Sequence, residues 1–182
     1  CTADYDGRCR LPINNYEGQG GKRVAMNRRQ GKNHSGVGIH TRLKRGIARI
    51  RQHWPKVGNL VRGESHYGRS EAMGWGEANG VDYIFGFGGN PVLHDMMRPL
   101  ADALCVRRAI TGAEKLRTCK GLRYGAKSWG IQRRMVARIE ATTLGLDIRY
   151  IVTSLQGTAK HLYETVYCGR GQAENFIKLH KA

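Results

Sequence analysis

Acidic residues are scarce in this chain. Of its 182 residues only 14 are Asp or Glu, against 31 Lys and Arg, so the formal net charge is +17 at pH 7. So large a surplus of positive charge excludes the balanced surface of an ordinary metabolic enzyme. Such an excess favours a polyanionic partner, of which nucleic acid is the commonest, although a ribosome-associated protein or a protein on an anionic membrane surface would share it.

Long apolar runs and metal-ligand patterns are also missing. No segment approaches the roughly 18 consecutive apolar residues of a membrane span and no apolar leader opens the sequence, so we expect a cytosolic protein without membrane association. The five cysteines include no C-x-x-C pair, which argues against a disulfide framework and a zinc ribbon. The histidines include no H-x3-H pair, and no phosphate-binding G-x4-G-K-[ST] occurs.

The first half of the chain carries the periodic patterns of an α/β protein. Strand-like runs at 9–16 and 22–28, split by a Gly-rich turn, predict a hairpin. Apolar residues at helical spacing from Val37 to Trp54, with Arg and Lys between them, predict a basic amphipathic helix that Pro55 ends. That basic face is either solvated or turned towards a polyanion.

A parallel βαβ unit follows. The apolar pattern predicts a strand from Val57 to about Arg62, a helix from about Ser70 to Asn79 and a strand from Val81 to Phe87. Strand, helix and strand within about thirty residues are typical of a parallel α/β sheet.

The second half changes character after Pro91. A helix is predicted at 92–105, and three β-rich runs then follow, the first at 120–129, before the chain turns helical again from about Thr158. We therefore expect a core at 1–105, an antiparallel β insertion at 106–155 and a C-terminal helical segment at 156–182.

The last segment contains a polar stripe. At about 100° per residue on an α-helix, five side chains fall within an arc of roughly 80°: Tyr167, Arg170, Glu174, Lys178 and Lys181. Spacing alone is equally met by a solvated basic face with an ion pair between Glu174 and Lys178. A second acid, Glu64, stands directly after an apolar strand, where open α/β sheets place their ligands. Two such carboxylates on a basic protein suit a divalent cation beside a phosphodiester.

These residues also resemble a known family. Tyr167, Arg170, Glu174 and Lys181 match Y-x2-R-x3-E-x6-K without a gap, the pattern of the bacterial insertion-sequence transposases whose catalytic domain is RNase H-like with a DDE triad. VRGESHYGRSEAMGWGEANGVDYIFGFGGN is similar to the family's block around its second acid, YGAKSW, RRMVARIEA and RYIVTSL to its β insertion, and YDGRCRLPI to the hairpin after its first acid. The resemblance covers essentially the whole sequence.

The resemblance implies a fold and a reaction. The fold is an RNase H-like mixed sheet flanked by helices, with an antiparallel β insertion before the last catalytic helix. The reaction is the cleavage of double-stranded DNA at transposon ends and strand transfer into target DNA, with Mg²⁺ or Mn²⁺, by a homodimer in a synaptic complex. Such a protein acts at the bacterial nucleoid, in the cytoplasm.

The resemblance also assigns roles to single residues. Glu64 corresponds to the second acid and Glu174 to the third, and both are metal ligands in the family. Tyr167 and Arg170 correspond to residues that grip the phosphates of the transposon end, Lys181 to a further backbone contact, and Lys178 adds a DNA-facing charge.

The sequence departs from the family pattern in two ways. Glu64 stands where the family pattern R-G-D-S-H-Y has Asp, and the first acid would lie on a strand before YDGRCRLPI, upstream of the sequence given. We therefore expect the family chemistry to be absent from this chain. Two alternatives remain, a non-catalytic DNA-binding remnant and a generic basic RNA-binding protein.

Overall fold

The computed structural model describes residues 10–16, 23–30 and 38–170, and the chain divides into two compact units. The first unit comprises residues 1–56 and 169–182. In it, β1 (Arg10–Tyr16) and β2 (Arg23–Gln30) form the predicted antiparallel hairpin. Helix α1 (Ile39–His53) is the predicted basic helix, and it buries Ile39 and Ile47.

The second unit, Val57–Cys168, begins with the predicted βαβ element. It consists of β3 (Leu60–Gly63), α2 (Ser70–Ala78) and β4 (Asp82–Phe87), and the two strands pair in parallel. A short 3-10 turn, Ser65–Tyr67, connects β3 to α2. The carboxyl ends of β3 and β4 therefore lie at the same edge of the sheet.

Helix α3 spans Pro91–Thr111, six residues beyond the predicted end of the helix at 105. Asn90 caps its start, because the side-chain oxygen accepts a hydrogen bond of 3.0 Å from the backbone N–H of Leu93. Gly112 ends it with a left-handed φ of 63°. The residue that ends the helix is therefore Gly112. The apolar pattern weakens after Cys105 because the last turn and a half of the helix is largely exposed.

Three antiparallel strands lie within the region predicted as an insertion. They are β5 (Lys115–Tyr124), β6 (Arg133–Thr142) and β7 (Gly145–Thr153). The first begins five residues before the predicted run at 120–129, and Trp129 lies in the turn that follows it, where its N–H donates to the Ala126 carbonyl at 2.8 Å. Strand β5 begins soon after α3 ends, because its pairing with β6 already starts at Lys115 and continues to Tyr124.

All five strands of the second unit form one mixed sheet. The order is β3-β4-β7-β6-β5, and β3 with β4 is its one parallel pair. Helical segments flank the sheet, and the last of them is a π-helix, His161–Tyr167, followed by a 3-10 turn, Cys168–Arg170. This arrangement is consistent with the expected RNase H-like α/β fold. No helix in the described ranges combines the length and hydropathy needed to cross a membrane.

The sheet is buried on both faces because side chains alternate along each strand. One face packs against α2 and α3, and its buried residues include Tyr83, Phe85, Met135, Ala137 and Val152. The opposite face packs against the π-helix, and its buried cluster is Ile84, Val136, Ile151, Leu162 and Tyr163. Strand β4 thus supplies apolar side chains to both clusters.

A partly buried ion pair joins α2 to β6. The guanidinium of Arg133, whose side chain is 6% exposed, donates to both carboxylate oxygens of Glu77 at 2.7 and 2.8 Å. The Tyr83 hydroxyl donates to the same carboxylate at 2.6 Å. Burial alone would raise the pKa of Glu77, but the hydrogen bonds from Arg133 and Tyr83 outweigh it and hold that pKa below its ordinary value.

Glu77→Gln should destabilise the domain by about 2 kcal/mol, measured as the free energy of unfolding in urea at pH 7. The variant keeps the volume of the side chain but leaves the buried Arg133 guanidinium without its counter-charge. The effect should be smaller than the ~3–5 kcal/mol of a fully buried pair, because Glu77 is 29% exposed.

Asp95→Asn is the matched control. It removes the same charge from an exposed helical pair with Arg98, so the unfolding free energy should change by less than about 0.5 kcal/mol.

The stabilisation that Glu77 provides should depend on pH. Because the folded pKa of Glu77 is depressed, its contribution to the unfolding free energy is present above the ordinary value of 4.5 and is lost as the pH falls below it. The gap between wild type and Glu77→Gln should therefore narrow below pH 4.5, and a gap that stays constant would contradict this account.

Candidate functional site

Glu64 lies at the carboxyl end of β3, as its position in the sequence predicted. Its backbone is extended (φ −76°, ψ 178°), and its carbonyl accepts the Tyr67 N–H at 2.9 Å, which closes the 3-10 turn. The Glu64 side chain is 52% exposed, and its carboxylate lies 3.8 Å from the Nδ1 atom of His66. The turn therefore presents a carboxylate at the edge of the sheet where β3 and β4 both end.

The turn that carries Glu64 is fixed against the sheet by an aromatic ring. A β-carbon built on Gly63 would lie 2.7 Å from Cγ of Tyr67, so the ring occupies the space that a side chain at 63 would take. The Tyr67 ring also stacks on Phe85 of β4, with ring centroids 6.2 Å apart and an angle of 27° between the planes. This packing requires glycine directly before Glu64.

Tyr167 reaches the same strand end from the π-helix. A β-carbon built on Gly86 of β4 would lie 2.7 Å from the Tyr167 hydroxyl oxygen, 3.1 Å from the Ser65 nitrogen and 3.5 Å from the Glu64 carbonyl carbon. The hydroxyl therefore lies over the bare backbone of Gly86, next to the peptide that joins Glu64 to Ser65. The structure thus brings together Tyr167 and Glu64, which are 103 positions apart in the sequence.

Two further contacts hold the π-helix in this position. Arg62 of β3 donates from Nη1 to the Val166 carbonyl at 3.3 Å. Arg138 of β6 lies over the ring of Tyr163, 5.6 Å from its centroid, and Tyr163 packs against Tyr167 with ring centroids 5.5 Å apart. Burial raises the pKa of Tyr163 to about 12, so this phenol is neutral at physiological pH.

The backbone around Tyr167 differs from the α-helix that the polar stripe assumed. Tyr167 ends a π-helix and Cys168–Arg170 form a 3-10 turn, so a uniform 100° per residue does not hold across the start of the stripe. The wider π-helical turn places Leu162, Tyr163, Val166 and Tyr167 against one face of the sheet. Glu174, Lys178 and Lys181 lie outside the described residues.

The described donors alone do not make a metal site. Within residues 10–16, 23–30 and 38–170 no group of three or more His, Cys, Asp and Glu side chains could hold a metal ion. Glu64 is an oxygen donor of the kind that Mg²⁺ and Mn²⁺ take, but a single carboxylate is too few ligands for either cation. The described residues therefore do not by themselves fit a bound cation.

Two residues of this site were not predicted from the sequence. Gly86 interrupts the strand DYIFGF, and a glycine inside a strand is the pattern that marks close approach of another group. Arg62 gave no such signal, because an arginine at the end of a strand is ordinarily a solvated charge.

Comparison with known proteins identifies the family. The model of the transposase DDE domain, group 1, matches residues 1–182 of this chain. The chain belongs to the transposase DDE domain family. No curated protein and no solved structure matches it.

Family membership confirms the resemblance to a DDE transposase, while the Y-x2-R-x3-E-x6-K motif stays a prediction. Members are transposases, which bind DNA, cleave it and transfer strands, and their catalytic domains ordinarily use divalent metal. This chain is accordingly a transposase catalytic domain, with the mixed α/β sheet that such a domain requires.

Gly86→Ala should displace Tyr167 from the strand end of the transposase domain. The added methyl group would meet both the tyrosine hydroxyl and the Ser65 backbone nitrogen, and only the hydroxyl can move away readily. We expect a loss of about 1–3 kcal/mol in unfolding free energy, as for overpacked cores.

Gly121→Ala is the matched control, since a β-carbon at Gly121 of β5 meets nothing within 4 Å. Its unfolding free energy should stay within about 0.5 kcal/mol of wild type. Equal stability of the two variants would show that the Gly86 contact is not a close one.

Proposed function

We propose that this transposase domain binds the ends of its transposon, and then target DNA, through the surface around Glu64 and Tyr167. The observation that carries the proposal is the position of the Tyr167 hydroxyl beside the Glu64–Ser65 peptide over Gly86. A carboxylate, a phenol and free strand ends at one edge of an α/β sheet make a ligand site of the usual topological kind.

In this proposal the remaining residues of the motif complete the DNA contact. Tyr167 and Arg170 grip the phosphates of the transposon end, and Lys178 and Lys181 extend the contact along the backbone. The net charge of +17 supports a polyanionic partner, and every phosphate so neutralised releases counterions. The division into a core at 1–105, an insertion at 106–155 and a last segment at 156–182 belongs to the same proposal.

The two acids have a separate role in the proposal. Glu64 and Glu174 supply carboxylate oxygens to Mg²⁺ or Mn²⁺, which in this family assists the cleavage and joining of DNA. Glu64 is one methylene longer than the Asp of the family pattern, and a carboxylate misplaced by about 1 Å can cost around a hundredfold in rate. We therefore propose that this domain binds DNA while its cleavage activity is weak or lost.

Two further features belong to the family role. We propose that two copies pair when they hold two DNA ends, and that the protein acts at the nucleoid of a bacterial cell. The pairing of two copies is supported further by exposed apolar residues on helix α3.

Arg170→Ala should weaken the binding of double-stranded DNA several-fold, measured by fluorescence anisotropy with a duplex of about 30 base pairs at several salt concentrations. The slope of log K against log salt should fall by about 1, because one phosphate contact is removed. Arg98→Ala, which removes the same charge from an exposed position on α3, should leave both values unchanged.

The same titration tests the RNA-binding alternative. An RNA duplex of the same sequence should bind more weakly than DNA. Equal affinity for RNA and DNA, together with indifference to Arg170→Ala, would favour a generic basic RNA-binding protein.

Glu64→Asp should increase Mn²⁺-dependent nicking of a supercoiled plasmid that carries the transposon ends, by about tenfold or more if side-chain length limits the reaction. Glu64→Gln should show no nicking, because it keeps the length and removes the charge. Both variants should bind DNA about as well as wild type without metal. Nicking by wild type that Glu64→Gln leaves intact would contradict the role proposed for Glu64.

A further inference from the structure

Helix α3 carries two apolar stripes, and one of them is buried against the sheet. Leu93, Met97, Ala101 and Leu104 are buried against the sheet. A second set of apolar side chains points away from it and is exposed: Val92, Met96, Pro99, Ala103, Val106 and Ile110. Ile110 is 80% exposed and Val106 is 58% exposed.

The spacing of the exposed set is that of a coiled-coil seam. Its members follow one another at steps of four, three, four, three and four residues, which is the a/d pattern of a heptad repeat. At 100° per residue they fall within an arc of about 80°, centred about 130° from the buried stripe. A second helix can therefore lie along this seam without meeting the sheet behind α3.

Scattered exposed apolar residues need no explanation, but this set is ordered. Elsewhere Leu144, Ile131 and Leu146 are exposed in turns or at strand ends, without helical periodicity. The exposed set spans nearly three heptads on one side of a 21-residue helix, which is long enough to form a helix pair.

The charges that flank the seam indicate which helix covers it. With Met96, Ala103 and Ile110 at a positions, Asp102 occupies g and Arg107 occupies e. Both side chains are exposed, and neither makes an ion pair or hydrogen bond with another residue of the described segment 38–170. In a parallel pair the g residue of one helix faces the e residue five positions on in the other, so these two charges would meet.

We propose that the outer stripe of α3 pairs two copies of this chain as parallel helices. Asp102 faces Arg107 of the partner subunit, and the two-fold symmetry forms this ion pair twice. An antiparallel pair centred on the seam would set g against g and bring Asp102 close to Asp102 of the partner subunit, so that two like charges repel.

The inference rests on the proposed pairing of two copies and adds the surface that performs it. It does not rest on DNA binding, because the seam and its charges lie on α3 alone. The assembly can therefore be tested without DNA, and the DNA-binding proposal can fail while the pairing stands.

Sedimentation of the full chain without DNA should show a dimer that dissociates on dilution from about 100 μM. Ile110→Asp should weaken the dimer at least tenfold, because it buries a charge in the seam. Ile131→Asp, at another exposed isoleucine outside α3, should leave the dimer unchanged. Circular dichroism should show that both variants are folded. A wild-type monomer throughout the range, or a dimer that Ile110→Asp leaves intact, would overturn the proposal.

Charge exchange tests the orientation. Asp102→Arg and Arg107→Asp should each weaken the dimer several-fold, since each sets like charges against one another, and the double variant should restore it. A double variant no better than the single ones would overturn the parallel pairing.

A cross-link tests the same orientation directly. Ile110→Cys should form a disulfide-linked dimer under mild oxidation, because equivalent seam residues are adjacent in a parallel pair. Wild type, with its own cysteines, and Ile131→Cys should form far less. Equal cross-linking of all three would contradict the proposal.

Discussion

The site depends on the absence of a side chain at one residue of β4, Gly86. Strand β4 lies inside the sheet and is covered on both faces, so each side chain on it has to match a neighbour. At Gly86 there is no side chain, and the Tyr167 hydroxyl and the Glu64–Ser65 peptide share the space that is left. The π-helix, the turn after β3 and the sheet are thereby set at fixed distances from one another. Arg62 and the Tyr163 ring hold the π-helix in the same place.

The scarcity of acids acquires a structural meaning once the ion pairs are known. Glu77 pairs with the buried Arg133. Glu140 lies among Lys115, Arg117 and Arg138, and Asp147 pairs with Arg138 and Arg149. Burial alone would raise the pKa of Glu140, but the neighbouring guanidinium groups, Arg117 first, hold it below its ordinary value. These carboxylates are neutralised within the sheet. The chain as a whole keeps a net charge of +17, which suits the DNA that transposases bind.

Much of the fold followed from the sequence because its signals are local. The βαβ unit was readable from apolar periodicity, and the β6–β7 hairpin from alternation about a short turn. The extent of α3 was missed because its last turns are stabilised by a cap at Gly112 and not by burial. The π-helical backbone at Tyr167 could not be read from spacing either, because the π-helix packs against β4 and β6, which are distant in sequence. For the same reason Glu64 and Tyr167 could be named, but not their meeting over Gly86.

In the proposed function, the strand end at Glu64 and the end of the π-helix form the DNA-binding surface. The most direct measurement is a titration of the isotope-labelled 20.4 kDa chain with duplex DNA, followed by the backbone amide chemical shifts. The largest changes are expected at residues 64–68 and 167–170. Changes confined to other segments, with residues 64–68 unaffected at saturation, would contradict the proposed function.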